Sequence, residues 1–169
     1  MPDSTIVDDI DLTAGLIATL ALRGLTVAVA ESLTGGQLAA ELTRPPGASA
    51  VVNGGVVVYA TELKHSVVGV DESLLGEHGP VHPDVARQLA ERVRAVLAVD
   101  GKAADIGIST TGVAGPDPQG GQPVGTVFVG VAIGPDTRVE ALQLSGDRAG
   151  IRARTVSAAV AALAARLAE

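Results

Sequence analysis

The apolar residues near the start of the chain recur at the spacing of a helix and then give way to a continuous apolar run. Residues 10–22 predict a helix, and Gly24 is suited to end it. The valine-rich run 25–30 predicts a buried strand, because a strand covered on both faces carries no alternating polar positions. Residues 37–43 predict a second helix, which must end before Pro45. The apolar face of the first helix comprises Ile10, Ala14, Ile17 and Ala21.

The clearest helical pattern covers residues 83–99, where Pro83 suits a first turn and a regular apolar stripe follows it. That stripe comprises Val85, Leu89, Val93 and Leu97. The residues of this helix that we predict to face water are Arg87, Gln88, Glu91 and Arg94. A last helix is predicted over 148–168, with Asp147 as its N-cap. Its apolar face comprises Val156, Val160, Leu163 and Leu167.

Further extended runs separate these helices. The predicted strands are 51–59, 104–110, 124–133 and 138–144, and residues 61–69 form a short helical stretch. A Gly-Gly pair makes the first of these strands irregular, and the last two are joined by a hairpin-like turn at 134–136. Strands that alternate with helices and end in a hairpin predict an α/β fold, a three-layer α/β/α sandwich with a mixed, mostly parallel sheet.

Length and composition then restrict the function. A chain of 169 residues predicts one domain, 1–169, and its 47% of apolar residues fill a core that must be aliphatic, with one Phe, one Tyr and no Trp. The absence of cysteine excludes a disulfide, Cys-ligated zinc, an iron–sulfur cluster and a thiol nucleophile. A net charge of −7 and two aromatic residues argue against nucleic acid as a partner.

No targeting or membrane segment is evident in the sequence. The first twelve residues carry acids where a secretory signal carries basic residues, and no apolar run of 18 residues suggests a membrane span. We therefore predict a soluble cytoplasmic protein without a membrane partner.

The strongest chemical signal is the segment AESLTGG (30–36), at the junction of a predicted strand and helix. Free backbone amides at a helix N-terminus bind anions, so this junction suits a phosphate or the oxyanion of an acyl-transfer intermediate. Ser32 is a candidate nucleophile there. The alternative is that Ser32 or Thr34 simply caps the helix. The segment matches neither the P-loop nor the G-x-S-x-G elbow.

A serine nucleophile needs a base, and the histidines of this chain lack an obvious orienting carboxylate. A lysine serves instead when burial lowers its pKa towards neutrality. Lys102 lies in a predicted turn, whereas Lys64 follows Tyr59 by five residues, so both Tyr59 and Lys64 can face a site at the end of one strand. The alternative for Lys64 is an ordinary exposed helix lysine.

Three other features have structural explanations that compete with functional ones. His78 and His82 are four residues apart, but the intervening Gly-Pro prevents a helical metal pair, and His82 is better explained as a cap of the helix at Pro83. The loop 112–124, rich in Gly and Pro, suits either a substrate clamp or a surface excursion. Arg148 can clamp a phosphate or carboxylate, or lie exposed in a first helical turn.

Taken together and in order, these segments resemble the C-terminal domain of the CinA family, the nicotinamide-nucleotide amidohydrolases. The resemblance covers about residues 10–168. Its motifs are AESLTGG (30–36), PPGAS (45–49), GGVVVY…K (54–64), TTGVAGP (110–116), PVGTVFVG (123–130) and GDR…IR (146–152). No single motif is decisive, but the ordered set is specific.

The resemblance implies hydrolysis of nicotinamide mononucleotide to nicotinate mononucleotide and ammonia, without a metal or other cofactor. It places the nucleophile at Ser32, its base at Lys64, and an assisting or orienting hydroxyl at Tyr59. Thr111 would position the substrate or the oxyanion, and Arg148 would contact an anion. The helix N-terminus that the resemblance implies for substrate binding comprises Thr34, Gly35 and Gly36.

The sequence departs from the usual family pattern at Leu33, where many members have Cys, at Thr61, where Asn is common, and at His82, where Ser is frequent. The resemblance further implies a stand-alone deamidase form and a homo-oligomer. Two alternatives stay open: a catalytically silent nucleotide-binding or regulatory module, and a deamidase of another nucleotide-like amide.

Overall fold

The computed structural model describes residues 11–169, which form six helices, five strands and one short 3₁₀ turn. The helices are α1 (Leu12–Arg23), α2 (Gln37–Thr43), α3 (Thr61–Ser66), α4 (Glu72–His78), α5 (Pro83–Val96) and α6 (Arg148–Leu167). The strands are β1 (Val27–Glu31), β2 (Val52–Val57), β3 (Ile106–Gly112), β4 (Thr126–Ile133) and β5 (Asp136–Gln143), and the 3₁₀ turn is Ala48–Ala50.

The five strands form one mixed sheet in the order β2-β1-β3-β4-β5. β1 pairs in parallel with β2 and β3, and β4 pairs antiparallel with both β3 and β5. Four of the strands consequently point in one direction and only β4 opposes them. The predicted α/β fold with a mixed sheet is confirmed.

Two separate cores cover the two faces of the sheet. On one face α1, α2 and α6 pack over the larger side chains of the strands, which include Val27, Val29, Ile106 and Ile108. On the other face α5 packs over Ala28 and Ala30. Strand side chains alternate between faces, so the two kinds of residue along β1 separate into the two cores. The result is the predicted three-layer arrangement.

Most predicted elements are present with their predicted caps. Gly24 ends α1 in the left-handed conformation, α2 covers the predicted 37–43, and Asp147 caps α6 by accepting a hydrogen bond from the Gly150 amide. The Gly-Gly irregularity of β2 is a shift in register, since Val27 pairs with Val52 and Ala28 with Gly54. Ile10, predicted on the face of the first helix, lies outside the described residues.

Three details differ from the prediction. The face that α1 buries comprises Thr13, Leu16, Ile17 and Leu20, so Ile17 is buried as predicted but Ala21 is exposed. Leu16 and Leu20, one position before the predicted Ile17 and Ala21, turn towards the core, and Leu20 is a larger apolar side chain than Ala21.

Helix α4 has no counterpart among the predicted elements, and Gln88 does not face water but is only 6% exposed. The Gln88 amide donates to the Asp71 carboxylate at 2.7 Å and accepts from the Asp71 amide at 2.9 Å. The segment that leads into α4 covers this part of α5, and these hydrogen bonds make the burial of a polar side chain favourable. The single domain over 1–169 stays a prediction. None of the helices between residues 11 and 169 is long and apolar enough to cross a membrane.

Candidate active site

Ser32 occupies the turn between β1 and α2 and is 8% exposed. The turn closes on itself through a hydrogen bond from the Gly35 amide to the Ser32 carbonyl at 3.1 Å. The Ser32 amide points at the Thr110 hydroxyl, 3.4 Å away, and that hydroxyl also pairs with the Thr34 hydroxyl at 2.8 Å. The Thr110 hydroxyl of β3 thus holds the turn at two points, the Ser32 backbone and the Thr34 side chain.

Lys64 is the largest fully buried side chain of the described residues, with 1% of its surface exposed. Its Nζ donates to Ser32 Oγ at 3.1 Å and to the Val58 carbonyl at 2.8 Å. Burial lowers the pKa of Lys64 from 10.5 to about 8, against an opposing effect of the nearby Glu62 carboxylate. A lysine with this pKa is a usable base near neutral pH, because a substantial fraction of it is neutral.

The end of β2 explains how a helix lysine becomes buried. The Val58 amide donates to the Glu31 carbonyl at 2.8 Å, so the chain stays attached to β1 beyond the last residue of the strand. It then turns through Tyr59 and starts α3 at Thr61. Lys64 lies one turn into this helix and points back towards the end of β1, where Ser32 follows Glu31.

Thr111 lies at the end of β3, next to the end of β1 in the sheet. Its hydroxyl donates to the Pro80 carbonyl at 2.7 Å, which leaves the oxygen lone pairs free to accept. Carboxyl ends of adjacent parallel strands form one edge of a sheet, and this edge is the usual place for ligands in α/β folds. Ser32 and Thr111 share it.

Arg148 joins three distant parts of the chain at the mouth of this site. From the first residue of α6 its guanidinium donates to the Gly115 carbonyl at 2.6 Å and to the Tyr59 hydroxyl at 2.9 Å. Tyr59 is 59% exposed, so this pair borders solvent. Of the two roles the resemblance implies for Tyr59, orientation has a hydrogen bond to support it; the described contacts of the Tyr59 hydroxyl do not include Ser32 or Lys64.

These residues enclose a cavity of about 110 Å³. Its floor holds Ser32 and Lys64, and its mouth holds Tyr59 and Arg148. Leu33, one of the departures from the family pattern, contributes to the wall, whereas Thr61 does not. The remaining lining residues come from the turn before α5, from the end of β3 and from the Gly/Pro-rich loop that follows it: Pro80, Val81, Thr111, Gly112, Val113, Ala114, Gly115, Asp117 and Gln119.

The structure does not bring Thr34, Gly35 and Gly36 into the cavity, and the expectation of free amides at the start of α2 is wrong. The Glu31 carboxylate accepts hydrogen bonds from the amides of Gly36, Leu38 and Ala39 at 3.1, 3.0 and 2.8 Å. A carboxylate of the chain itself therefore occupies the place expected for a substrate anion.

Three residues of this site escaped the sequence analysis. Glu31 caps α2, Thr110 holds the Ser32 turn, and Arg152 donates from α6 to the Leu33 carbonyl at 2.9 Å. Only Glu31 could have been found from the sequence. It is an acid at the end of an otherwise apolar strand, and a buried carboxylate there needs several hydrogen-bond donors nearby. The other two contacts join residues about 80 and 120 positions apart.

The remaining candidates, the three histidines and Lys102, do not line the cavity. His82 Nδ1 accepts from the Asp84 amide and caps α5, as predicted, and its ring stacks on that of His78. His65 bonds to the Val70 carbonyl, and Lys102 is exposed, 3.7 Å from the Asp105 carboxylate. Within residues 11–169 no three His, Asp or Glu side chains gather in a way that would hold a metal ion.

Comparison with known proteins agrees with this architecture. The family model described as the CinA C-terminal domain matches residues 9–167. A protein of Geobacillus kaustophilus is 54% identical over 134 residues, 79% of this chain and 31% of that protein. A CinA-like protein of Frankia casuarinae is 48% identical over 153 residues, 90% of this chain and 34% of that protein. The chain thus spans about a third of the length of these relatives.

Solved structures extend the likeness to the whole fold. A CinA superfamily protein from Klebsiella pneumoniae superposes with a TM-score of 0.87 at 31% identity, over 94% of this chain and 96% of that one. The competence/damage inducible protein CihA from Agrobacterium tumefaciens superposes with a TM-score of 0.86 at 31% identity, over 99% of this chain and 100% of that one. The chain therefore belongs to the CinA family, and its described fold is that of the CinA C-terminal domain.

Proposed function

We propose that this domain hydrolyses the carboxamide of nicotinamide mononucleotide, releasing ammonia and nicotinate mononucleotide. The observation that carries the proposal is the buried pair at the cavity floor, in which Lys64 Nζ lies 3.1 Å from Ser32 Oγ. A serine beside a lysine of lowered pKa is an arrangement for acyl transfer. The family resemblance supplies the substrate class.

In the first step Lys64 acts as the base. Its neutral amine keeps one hydrogen bond to the Val58 carbonyl and accepts the Ser32 proton through its lone pair. Ser32 Oγ attacks the carboxamide carbon, forming a C–O bond while the carbonyl π electrons move to oxygen. The products of this step are a tetrahedral oxyanion and a protonated Lys64.

In the second step the C–N bond breaks, and the leaving nitrogen takes the proton from Lys64 to depart as ammonia. Water then attacks the acyl-enzyme carbon and gives a proton to Lys64. Breakage of the C–Oγ bond releases the carboxylic acid and returns the proton to Ser32. The sum of the steps is amide plus water to carboxylic acid plus ammonia, and none of them uses a metal or other cofactor.

The charges around the cavity match those of the substrate class. Arg148 uses two of its five N–H donors in hydrogen bonds to Gly115 and Tyr59, so the other three are available to a phosphate at the mouth. Asp117 adds a carboxylate to the wall, suited to the positive charge of an N-ribosylated pyridine ring. The Thr111 oxygen can accept from the carboxamide nitrogen, because its own proton is held by Pro80.

The cavity volume supports binding of the ring end of such a molecule. About 110 Å³ is below the roughly 300–1,000 Å³ usual for a ligand of drug size. The carboxamide and ring would therefore occupy the cavity, with the ribose and phosphate extending past Tyr59 towards Arg148.

Ammonia release from nicotinamide mononucleotide tests the proposal directly. We expect activity in the unaltered protein, a loss of more than about a thousandfold in Ser32→Ala, and a strong loss in Lys64→Met. Ser157→Ala and Lys102→Met are matched controls, because both residues are exposed and neither lines the cavity, and they should retain activity. Full activity of Ser32→Ala would exclude the covalent mechanism.

The same assay separates the alternatives. Saturable binding of nicotinamide mononucleotide without turnover, at high protein concentration, would identify a silent nucleotide-binding module. Faster ammonia release from a different nucleotide-like amide would keep the mechanism and change the substrate.

A further inference from the structure

Glu31 is a fully buried acid at the last position of β1. A carboxylate without solvent is costly unless its oxygens accept hydrogen bonds. Here Oε2 accepts from the amides of Gly36 and Leu38, and Oε1 accepts from the amide of Ala39. The three donors satisfy a charge that the burial would otherwise make unfavourable.

The three donors belong to the N-cap and first turn of α2, where a helix leaves its amides unpaired. The helix dipole also favours negative charge at that end. The carboxylate and the helix start therefore satisfy each other. Because the backbone of Glu31 begins the turn 32–36 and its side chain fastens the end of that turn, one residue holds both ends of the segment that carries Ser32.

Glu31 also connects this turn to the base. Its carbonyl accepts from the Val58 amide at 2.8 Å, and the Val58 carbonyl accepts from Lys64 Nζ at 2.8 Å. Glu31 is thus linked to both reacting groups: to Ser32 by the peptide bond that follows it, and to Lys64 through the two hydrogen bonds of Val58.

We propose that Glu31 is a positioning residue, whose carboxylate fixes the turn that presents Ser32 Oγ to Lys64 Nζ. This inference rests on the proposed hydrolase function. Glu31 does not line the cavity in which the proposed substrate would bind. It acts through the geometry of the turn, and loss of its carboxylate lowers the rate of acyl transfer without weakening substrate binding.

The test compares Glu31→Gln with the unaltered protein in ammonia release from nicotinamide mononucleotide. Glutamine keeps the shape but turns an NH₂ group towards amide donors, so at least one of the three hydrogen bonds is lost. We expect kcat to fall by about ten- to a hundredfold, since small displacements of reacting groups cost this much. We expect KM to stay within about twofold.

Two further readouts separate positioning from a general structural role. The pH midpoint of activity should stay at its value in the unaltered protein, because burial and Glu62 set the pKa of Lys64. Formate should restore part of the kcat of Glu31→Ala by occupying the vacated carboxylate position, whereas neutral formamide should not. Glu41→Gln is the matched control: this carboxylate lies on the same helix but bonds to Thr13 and Arg44, and its loss should leave kcat unchanged.

A crystal structure of Glu31→Gln provides a readout that does not depend on turnover. The distance from Ser32 Oγ to Lys64 Nζ should exceed hydrogen-bonding range. An unchanged distance, an unchanged kcat, a shifted pH midpoint or a Glu31→Gln protein that does not fold would each overturn the positioning role. If the unaltered protein releases no ammonia, the proposed function fails, and the distance alone then decides the role of Glu31.

Discussion

Lys64 Nζ has two hydrogen-bond partners, Ser32 Oγ and the Val58 carbonyl, and both belong to buried residues. Desolvation penalises the ammonium form more than the amine, and Glu62 offsets only part of that penalty. The lowered pKa suits Lys64 to the proposed role of a base near neutral pH, and the same burial affects the expected pH dependence of both activity and stability.

Activity should follow the neutral fraction of Lys64. With a pKa of about 8, kcat/KM for nicotinamide mononucleotide should rise about tenfold per pH unit well below pH 8 and level off above it. Initial rates of ammonia release between pH 5.5 and 9.5 measure this profile. A profile that is flat across pH 8 would contradict a lysine base.

The free energy of unfolding should change above pH 8, whereas activity should change mainly below pH 8. The pKa of Lys64 is lower in the folded state than its unfolded value of 10.5, so the unfolded state binds more protons between pH 8 and 10.5. This penalty on folding is complete below pH 8 and disappears as the pH rises to 10.5. The free energy of unfolding of Lys64→Met minus that of the unaltered protein should therefore fall by about 3 kcal/mol over that interval. Urea unfolding at several pH values measures it, with Lys102→Met as the control that should show no such change.

Tyr59 permits a clean substitution, because it is the only tyrosine of the chain. Tyr59→Phe removes the acceptor of one Arg148 hydrogen bond and leaves the ring at the cavity mouth. If Tyr59 orients Arg148, KM for nicotinamide mononucleotide should rise several-fold, by about the 1 kcal/mol that one hydrogen bond contributes, with little change in kcat. A large fall in kcat at unchanged KM would instead indicate proton transfer.

At the scale of elements, β3 and α5 approach each other closely, and this contact supports the cavity. Ser109 donates to the Ala86 carbonyl at 2.6 Å, and Gly107 faces the carbonyl of Ala90 with no space for a Cβ atom. The next two residues of the same strand belong to the site: the Thr110 hydroxyl accepts from the Ser32 amide, and Thr111 lines the cavity. Gly107 and Ser109 are small because α5 packs closely against this face of β3, and not because the backbone there needs the conformational freedom of glycine.

Two alanine substitutions test this contact. In Gly107→Ala the new Cβ overlaps the Ala90 carbonyl, so the strand or helix must shift, and we expect a loss of at least about 3 kcal/mol in the free energy of unfolding. In Gly15→Ala the new Cβ meets nothing within 4 Å on an exposed helix position, and we expect a gain of about 0.4–1 kcal/mol. Denaturant unfolding measures both, and equal effects would contradict the close packing of α5.

At the scale of the whole molecule, a chain with a net charge of −7 gathers two cationic side chains, Lys64 and Arg148, around one cavity. A local arrangement of charge governs a binding site more strongly than net charge does. Elements far apart in sequence supply these groups: α3 carries the lysine, and α6 carries the arginine. The prediction of a homo-oligomer stays a prediction, which sedimentation of the purified protein can measure.

Ligand stabilisation tests the cavity as a phosphate-recognising site without relying on turnover. In Ser32→Ala, nicotinamide mononucleotide at a hundred times its Kd should raise the free energy of unfolding by about 2.7 kcal/mol. Nicotinamide riboside, which lacks the phosphate, should stabilise less at the same concentration, and Arg148→Met should remove the difference. Equal stabilisation by the two ligands would contradict an Arg148–phosphate contact.

The elements of this protein follow from local sequence patterns. The apolar spacing of 10–22, the two prolines after α2, Pro83 and Asp147 each act on neighbouring residues, so the predicted limits of these helices lie within three residues of the observed ones. Helix α4 was missed because its seven residues contain no buried side chain and show no apolar stripe. The exposure of Gln88 was predicted wrongly because a segment 17 residues away covers it.

The sequence by itself determined the fold class, the two ends of the Ser32 turn and, through an ordered set of motifs, the family. Only the tertiary structure decided which groups meet. Lys64 is a base candidate because β2 and α3 carry it to a buried position beside Ser32, and Arg148 reaches Tyr59 across 89 positions. The start of α2 is closed to a substrate anion because Glu31 folds onto it. Periodicity and caps are local properties, whereas pKa, burial and hydrogen-bond partners depend on residues that the chain brings together only when it folds.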